Sequence, residues 1–171
     1  MSVKFSSVFG DFLTRKTKVF ANLDMTGCNL DIDSRKLDIE LSSDKYIEKE
    51  LVKELKDVLG VALNTAVLNL SIKYSRNAFC GQACKDLCDE MRLENVMLNG
   101  YFNKAEFVLK EDTLEIVLAY GGLSIINEVG FVSKFSKKVK NIFDRDINVI
   151  FSGQTEDIGM VLPPEEDEED W

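Results

Sequence analysis

Apolar and acidic residues alternate along "LDIDSRKLDIEL" (Leu30–Leu41), the period of a strand with one wet face. Leu30 and Ile32 fall on one side, with Asp31 and Asp33 opposite. After the turn-prone "DSRK", Leu37, Ile39 and Leu41 take the buried side, and Asp38 and Glu40 the wet one. The pattern predicts a hairpin. It recurs in "AEFVLKEDTLEIVLAY" (Ala105–Tyr120), where Ala105, Phe107 and Leu109 alternate with Glu106, Val108 and Lys110, and Leu114, Ile116 and Leu118 return after a turn at Glu111 and Asp112. The offset from Ile32 to Leu37 matches that from Leu109 to Leu114.

A helical period follows each hairpin. In "SDKYIEKELVKELKDVLG" (Ser43–Gly60), Ile47, Leu51, Leu55 and Val58 or Leu59 share a stripe, with Ser43 or Asp44 as a cap and Gly60 as a stop. In "GGLSIINEVGFVSKFSKKVKNIFDRD" (Gly121–Asp146), Ile125, Val129, Val132, Phe135, Val139 and Ile142 recur at three or four, with Gly130 as a weak point in one long helix. Each helix precedes another alternating run, "VLNLSIKY" (Val67–Tyr74) and "INVIFSG" (Ile147–Gly153). The chain therefore reads as α+β, with two β-β-α-β units carrying antiparallel or mixed sheets. Residues 1–75 hold an N-terminal amphipathic helix, built on Val3, Phe5, Val8, Phe9, Phe12 and Leu13, and the first unit. Residues 76–103 form a helical connector, 104–154 the second unit, and 155–171 an acidic disordered tail or linker.

Composition narrows the chemistry. The chain has 171 residues, 45% of them apolar, enough for a core without disulfides. Of its formal charge of −9, six acids at Glu165–Asp170 carry −6, so the remainder holds −3. A mildly acidic body argues against tight nonspecific binding to phosphate backbones. Histidine is absent, which excludes Ser-His and Cys-His nucleophiles and His-ligated zinc or haem within this chain. No apolar run approaches a membrane span, and the first residues lack a secretory h-region; with four cysteines, a reducing cytoplasm is expected.

Four features invite a chemical reading. Asp31 and Asp33 are spaced as metal-binding carboxylates can be, but the second hairpin offers only Glu106, Val108, Lys110 and Glu115 on the matching face; a solvated strand face is the simpler account. Cys80, Cys84 and Cys88 recur every four residues on an expected helix from about Phe79 to Met91. That spacing lacks the zinc-ribbon knuckle and would need Cys28 as fourth ligand, so core packing is expected. Gly121 and Gly122 lie between strand and helix without a phosphate-binding signature, which favours a structural turn. Lys134, Lys137, Lys138, Lys140 and Arg145 form a basic concentration, either a solvated helix face or a docking surface for an acidic partner or nucleic acid.

The order of these elements resembles a known family. "FSSVFGDFL", "LDIDSRKLDIELSS", "KYIEKELVKELKDVLG", "VLNLSIKY", "FVLKEDTLEIVL" and "INVIFSG" together look like the N-terminal region of PolC-type DNA polymerase III, over about residues 3–154. The resemblance implies a KH-like shape, here without the Gly-x-x-Gly clamp. It implies a non-catalytic accessory domain whose catalytic polymerase and 3′–5′ exonuclease parts lie elsewhere. The expected partner is a replisome protein such as the clamp-loader tau subunit, with template DNA as a further ligand; no cofactor, membrane or small-molecule substrate is implied. Lys134, Lys137, Lys138, Lys140 and Arg145 are the candidate partner-binding residues. The alternatives are a free-standing KH-like nucleic-acid-binding module and a small metal-dependent enzyme using the Asp31 and Asp33 face.

Overall fold

The structure, a computed structural model, describes residues 2–156. The expected acidic tail lies almost wholly outside them. The chain folds as β1 (Val3–Lys4), α1 (Phe5–Phe9), β2 (Asp24–Asp31), β3 (Lys36–Ser43), α2 (Lys49–Ala62), β4 (Val67–Tyr74), α3 (Gly81–Glu94), α4 (Asn99–Phe102), β5 (Glu106–Lys110), β6 (Thr113–Leu118), α5 (Leu123–Glu128), α6 (Phe131–Phe143) and β7 (Asn148–Gly153). Two sheets result, ordered β1-β2-β3-β4 and β5-β6-β7. In each, a hairpin pairs antiparallel and the strand after the helix returns parallel to the second hairpin strand. The architecture is the α+β pair of β-β-α-β units that the two periodicities predict.

The central strands carry the cores. Leu37, Ile39 and Leu41 of β3 and Leu114, Ile116 and Leu118 of β6 are all buried, because alternation sends them to the helix-covered side. The first core adds Phe5, Phe9 and Phe20 with Leu55 and Leu59 of α2. The second joins β6 to Phe131, Phe135 and Val139 of α6 and to Cys84, Cys88 and Met91 of α3.

Several boundaries differ from the sequence reading. The N-terminal helix is one short turn and a half, α1. Val3 and Lys4 instead pair with Met25 and Asp24 as an edge strand, and the chain beyond Phe9 tightens into 3-10 turns at 10–12 and 17–22. Phe5 and Phe9, four apart, are buried and Phe12 and Leu13 pack partly buried against the same core, while Val8 stays exposed. The first hairpin turns over four residues, 32–35, so Leu30 rather than Ile32 faces Leu37. Asp31 drives this choice: its Oδ1 accepts the N–H groups of Asp33 (3.1 Å) and Ser34 (3.2 Å), an Asx turn. Leu30 and Ile32 are accordingly 57% and 78% exposed, not buried. The second hairpin has a two-residue turn, with Glu111 left-handed and Leu109 opposite Leu114.

The helix α2 starts at Lys49, not at Ser43. The Ser43 hydroxyl is occupied by Lys45, donating to its carbonyl at 2.6 Å, and Gly60 lies inside the helix. The single long helix expected over 123–143 is two, broken where Gly130 turns left-handed at φ 67°.

The units meet through aromatic rings. Phe143, at the end of α6, lies 5.1 Å from Tyr74 in a stacked pair and 5.0 Å from Phe79 edge-on. Tyr46 closes the group, 5.3 Å from Tyr74 and 6.1 Å from Phe143. Such pairs add about 0.5–1.5 kcal/mol each beyond area burial.

A candidate docking groove between the two units

Alternation puts Leu70, Ile72 and Tyr74 of β4 on the helix-facing side of the first sheet, level with Ile39, Leu41 and Ser43. The helix α2 seals the β3 residues but covers β4 only in part, so these side chains remain half-buried. The remaining space is a groove of about 660 Å³. Leu70, Ile72 and Tyr74 floor it. One wall is α2, through Val52 with Lys49, Lys53 and Lys56; the other is Leu87 and Glu90 of α3 with Ile142 and Phe143 of α6.

A polar network closes one end. The Tyr46 hydroxyl donates to Asp86 Oδ2 at 2.6 Å, and Gln82 Nε2 donates to Oδ1 at 2.7 Å. Lys49 Nζ donates to the Asp86 carbonyl and to Glu90 Oε2, both at 2.7 Å. Glu90 also accepts Lys138 Nζ, on Oε1, at 2.5 Å, so one carboxylate ties α2, α3 and α6 together. Partial burial opposes its charge, but the bonds from Lys138 and Lys49 prevail and hold the Glu90 carboxyl below the ordinary carboxylate range. Burial, then the bond to Asp86, pushes the Tyr46 phenol far above its usual range, and burial raises that of Tyr74 to about 12. Both phenols are therefore neutral, Tyr46 serving as a donor. Further along α2, Lys53 and Lys56 have no ion-pair partner among the described residues. An apolar trough with a charged rim can seat the apolar stripe of an amphipathic segment.

The basic concentration on α6 is divided. Lys138 is spent on Glu90 and Glu94 (2.8 Å), and Lys140 on Asp144 (3.2 Å) and Asp146 (3.0 Å). Arg145 pairs with Asp112 at 2.7 Å, donates to the carbonyls of Glu111 and Phe79, and lies 5.5 Å over the Phe79 ring. Lys134 and Lys137 stay exposed. Lys138 meets acids because α3 presents Glu90 and Glu94 four residues apart, a spacing legible in the sequence, whereas Lys140 and Arg145 find theirs in the turns at 144–146 and 111–112. Val52 was also legible: it lies off the Ile47–Leu51–Leu55–Leu59 stripe. The groove's other lining residues read only as core or strand.

The remaining candidates are dispersed. Asp31 is bound into its own turn, where the Ser34 hydroxyl foremost, with the Ser34 and Asp33 N–H groups, holds its carboxyl below the usual range. Asp38 accepts Asn69 Nδ2 at 2.7 Å and pairs with Lys36 at 3.1 Å on the open sheet face. Among the described residues no three His, Cys, Asp or Glu side chains form a metal-binding group. Gly121 and Gly122 are both left-handed and make a tight strand-to-helix turn. No described helix is long and apolar enough to cross a membrane.

Cys84 and Cys88 are buried, as core packing requires, but Cys80 precedes the first turn of α3 and is exposed, as is Cys28. Burial raises the Cys84 thiol to about 12 and pushes Cys88 higher still. Thiolate is the reactive form, so a chromogenic disulfide reagent at pH 8 is expected to label Cys28 and Cys80 rapidly, and Cys84 and Cys88 only after denaturant is added. Rapid labelling of all four would contradict this packing. The two buried thiols also impose a pH trend. Their folded pKa values are raised, so their contribution to stability is present below the ordinary value of 9.0 and fades as pH climbs toward 12.

The fold and groove thus define a two-unit α+β protein with an apolar trough at its seam. No family model, curated protein or solved structure matches the chain.

Proposed function

We propose that the chain is a non-catalytic interaction module whose inter-unit groove receives an amphipathic segment of a partner protein. The observation that carries this reading is the floor of Leu70, Ile72 and Tyr74, left open between α2 and the α3–α6 wall. The resemblance to the N-terminal region of PolC-type DNA polymerase III supplies the setting: docking of a replisome protein, with the clamp-loader tau subunit as the partner to test.

Calorimetric titration of the chain with purified tau tests it. Val52 and Ile142 line opposite walls and are only partly buried. Val52→Glu combined with Ile142→Glu is expected to weaken binding at least about tenfold, or 1.4 kcal/mol, since charge in the trough cannot be desolvated without penalty. Far-UV circular dichroism should stay unchanged. Reversing Lys134 and Lys137 to Glu should leave the affinity within about twofold, because these exposed lysines lie outside the groove and distant exposed charges contribute little. The opposite pattern, loss with the lysine variants and none with the groove variants, would move the docking surface to the exposed face of α6. Failure of the wild type to bind tau, with salt-sensitive binding to single-stranded DNA instead, would favour a nucleic-acid module.

A further inference from the structure

β1 covers very little of its neighbour. It pairs only with Asp24 and Met25, and among the described residues β2 is otherwise bonded only to β3. From Gly27 to Asp31 no described residue therefore pairs with the outer edge of the first sheet. Natural edges are commonly blunted by lysine, proline or a covering element. This one has neither residue between Thr26 and Asp31, and Cys28 to Asp31 are all exposed. Its apolar residues are also misplaced for a solvent edge. Cys28 and Leu30 lie on the helix-facing side, opposite Ile39 and Leu37, yet no described helix covers them and both are exposed. Val3, on the same side through its pairing with Met25, is 43% exposed, and Ile32 follows at the hairpin tip.

We propose that this edge pairs with the same edge of a second copy of the chain, in an antiparallel register centred on Asn29. The edge is complementary to itself in that register. Cys28 of each copy lies opposite Leu30 of the other, so apolar side chains meet on the helix-facing side. Asp31 lies opposite Gly27, so no carboxylate faces another across the strands. Asn29 faces its own copy on the two-fold axis, as an isologous contact requires. A register centred on Leu30 would set Asp31 against Asn29 and bring the turn residues Ile32 and Asp33 against Cys28 and Gly27, where the strand no longer continues. One centred on Cys28 would drive Asp31 against Met25, whose outer side β1 already holds. In the Asn29 register the Ile32 of one copy arrives beside Val3 of the other, and both lose exposed apolar surface. The contact spans five residues, so the dimer is weak and exchanging, in the class that buries less than about 1,200 Å².

Cysteine trapping in the full chain tests this without depending on affinity. Cys28→Ala and Cys80→Ser remove the exposed thiols; Asn29→Cys or Asp31→Cys is then added. Opposed Cα atoms in an antiparallel pair are about 4.5–5.5 Å apart, within disulfide reach, whereas two residues at position 31 would be about 13 Å apart along the strands. Asn29→Cys is expected to give a disulfide-linked dimer under mild oxidation, at least about tenfold faster than Asp31→Cys. Leu30→Lys in the Asn29→Cys chain should slow it by a similar factor, because a charge would have to be buried in the new sheet. Equal rates at positions 29 and 31, or no dimer from either at millimolar protein, would overturn the proposal. So would indifference to Leu30→Lys.

Discussion

Phe143→Ala is expected to destabilise the protein by about 3–5 kcal/mol, the range for emptying a buried phenylalanine site. Phe143 is 1% exposed. Its ring touches both units, stacking on Tyr74 of β4 at 5.1 Å and meeting Phe79 at 5.0 Å and Tyr46 at 6.1 Å. Few sites could collapse less easily, because the surrounding rings are held by other ties. Tyr46 is bonded to Asp86, and Arg145 lies over Phe79 while anchored to Asp112. Urea denaturation should show the loss as a lower midpoint. Because the same ring forms part of the groove wall, the variant should also lose the partner binding proposed for that groove, at temperatures where it remains folded. A midpoint change worth less than about 1 kcal/mol would mean that the seam is not packed as described.

A second large effect is expected at Gly122. Its φ of 90° is strained for any residue with a side chain, and an added Cβ would lie 1.9 Å from Cδ1 of the Tyr101 ring and 2.3 Å from Cγ. Gly122→Ala should therefore cost about 2–5 kcal/mol, combining roughly 1–2 for the left-handed backbone with 1–3 for overpacking. Two comparisons separate those parts. Gly130 is left-handed at φ 67° with open space around its Cβ position, so Gly130→Ala should show the backbone component alone. In a Tyr101→Ala chain, Gly122→Ala should lose its steric component and approach the Gly130→Ala value. Equal costs for Gly122→Ala with and without the Tyr101 ring would refute the steric assignment.

Much of the fold was legible because strand and helix periods differ. Leu37, Ile39 and Leu41 announced β3, and Leu114, Ile116 and Leu118 announced β6, since only one phase of a two-residue period buries a continuous face. The same reasoning failed for Leu30 and Ile32. Their alternation is as regular, but whether a phase is buried depends on a covering helix, and α2 does not extend over that part of β2. Gly130 was visible as a weakness and became a break: a glycine can turn left-handed at little steric cost, and the turn redirects α6 toward the seam. The groove was the least legible feature. Leu70 and Ile72 carry the same period as fully buried strands, and nothing local distinguishes a floor from a core.

The sequence by itself determined the order of the two β-β-α-β units, which side of β3 and β6 is dry, and that His-dependent chemistry is absent from this chain. Those are consequences of period and composition, which act over a few residues. Tertiary structure decided the rest. It spent Lys138, Lys140 and Arg145 on acids inside the chain, placed Glu90 between Lys49 and Lys138, and left β4 half-covered and the edge of β2 unpaired among the described residues. Charges are neutralised, and apolar faces sealed, by whatever arrives from distant parts of the chain.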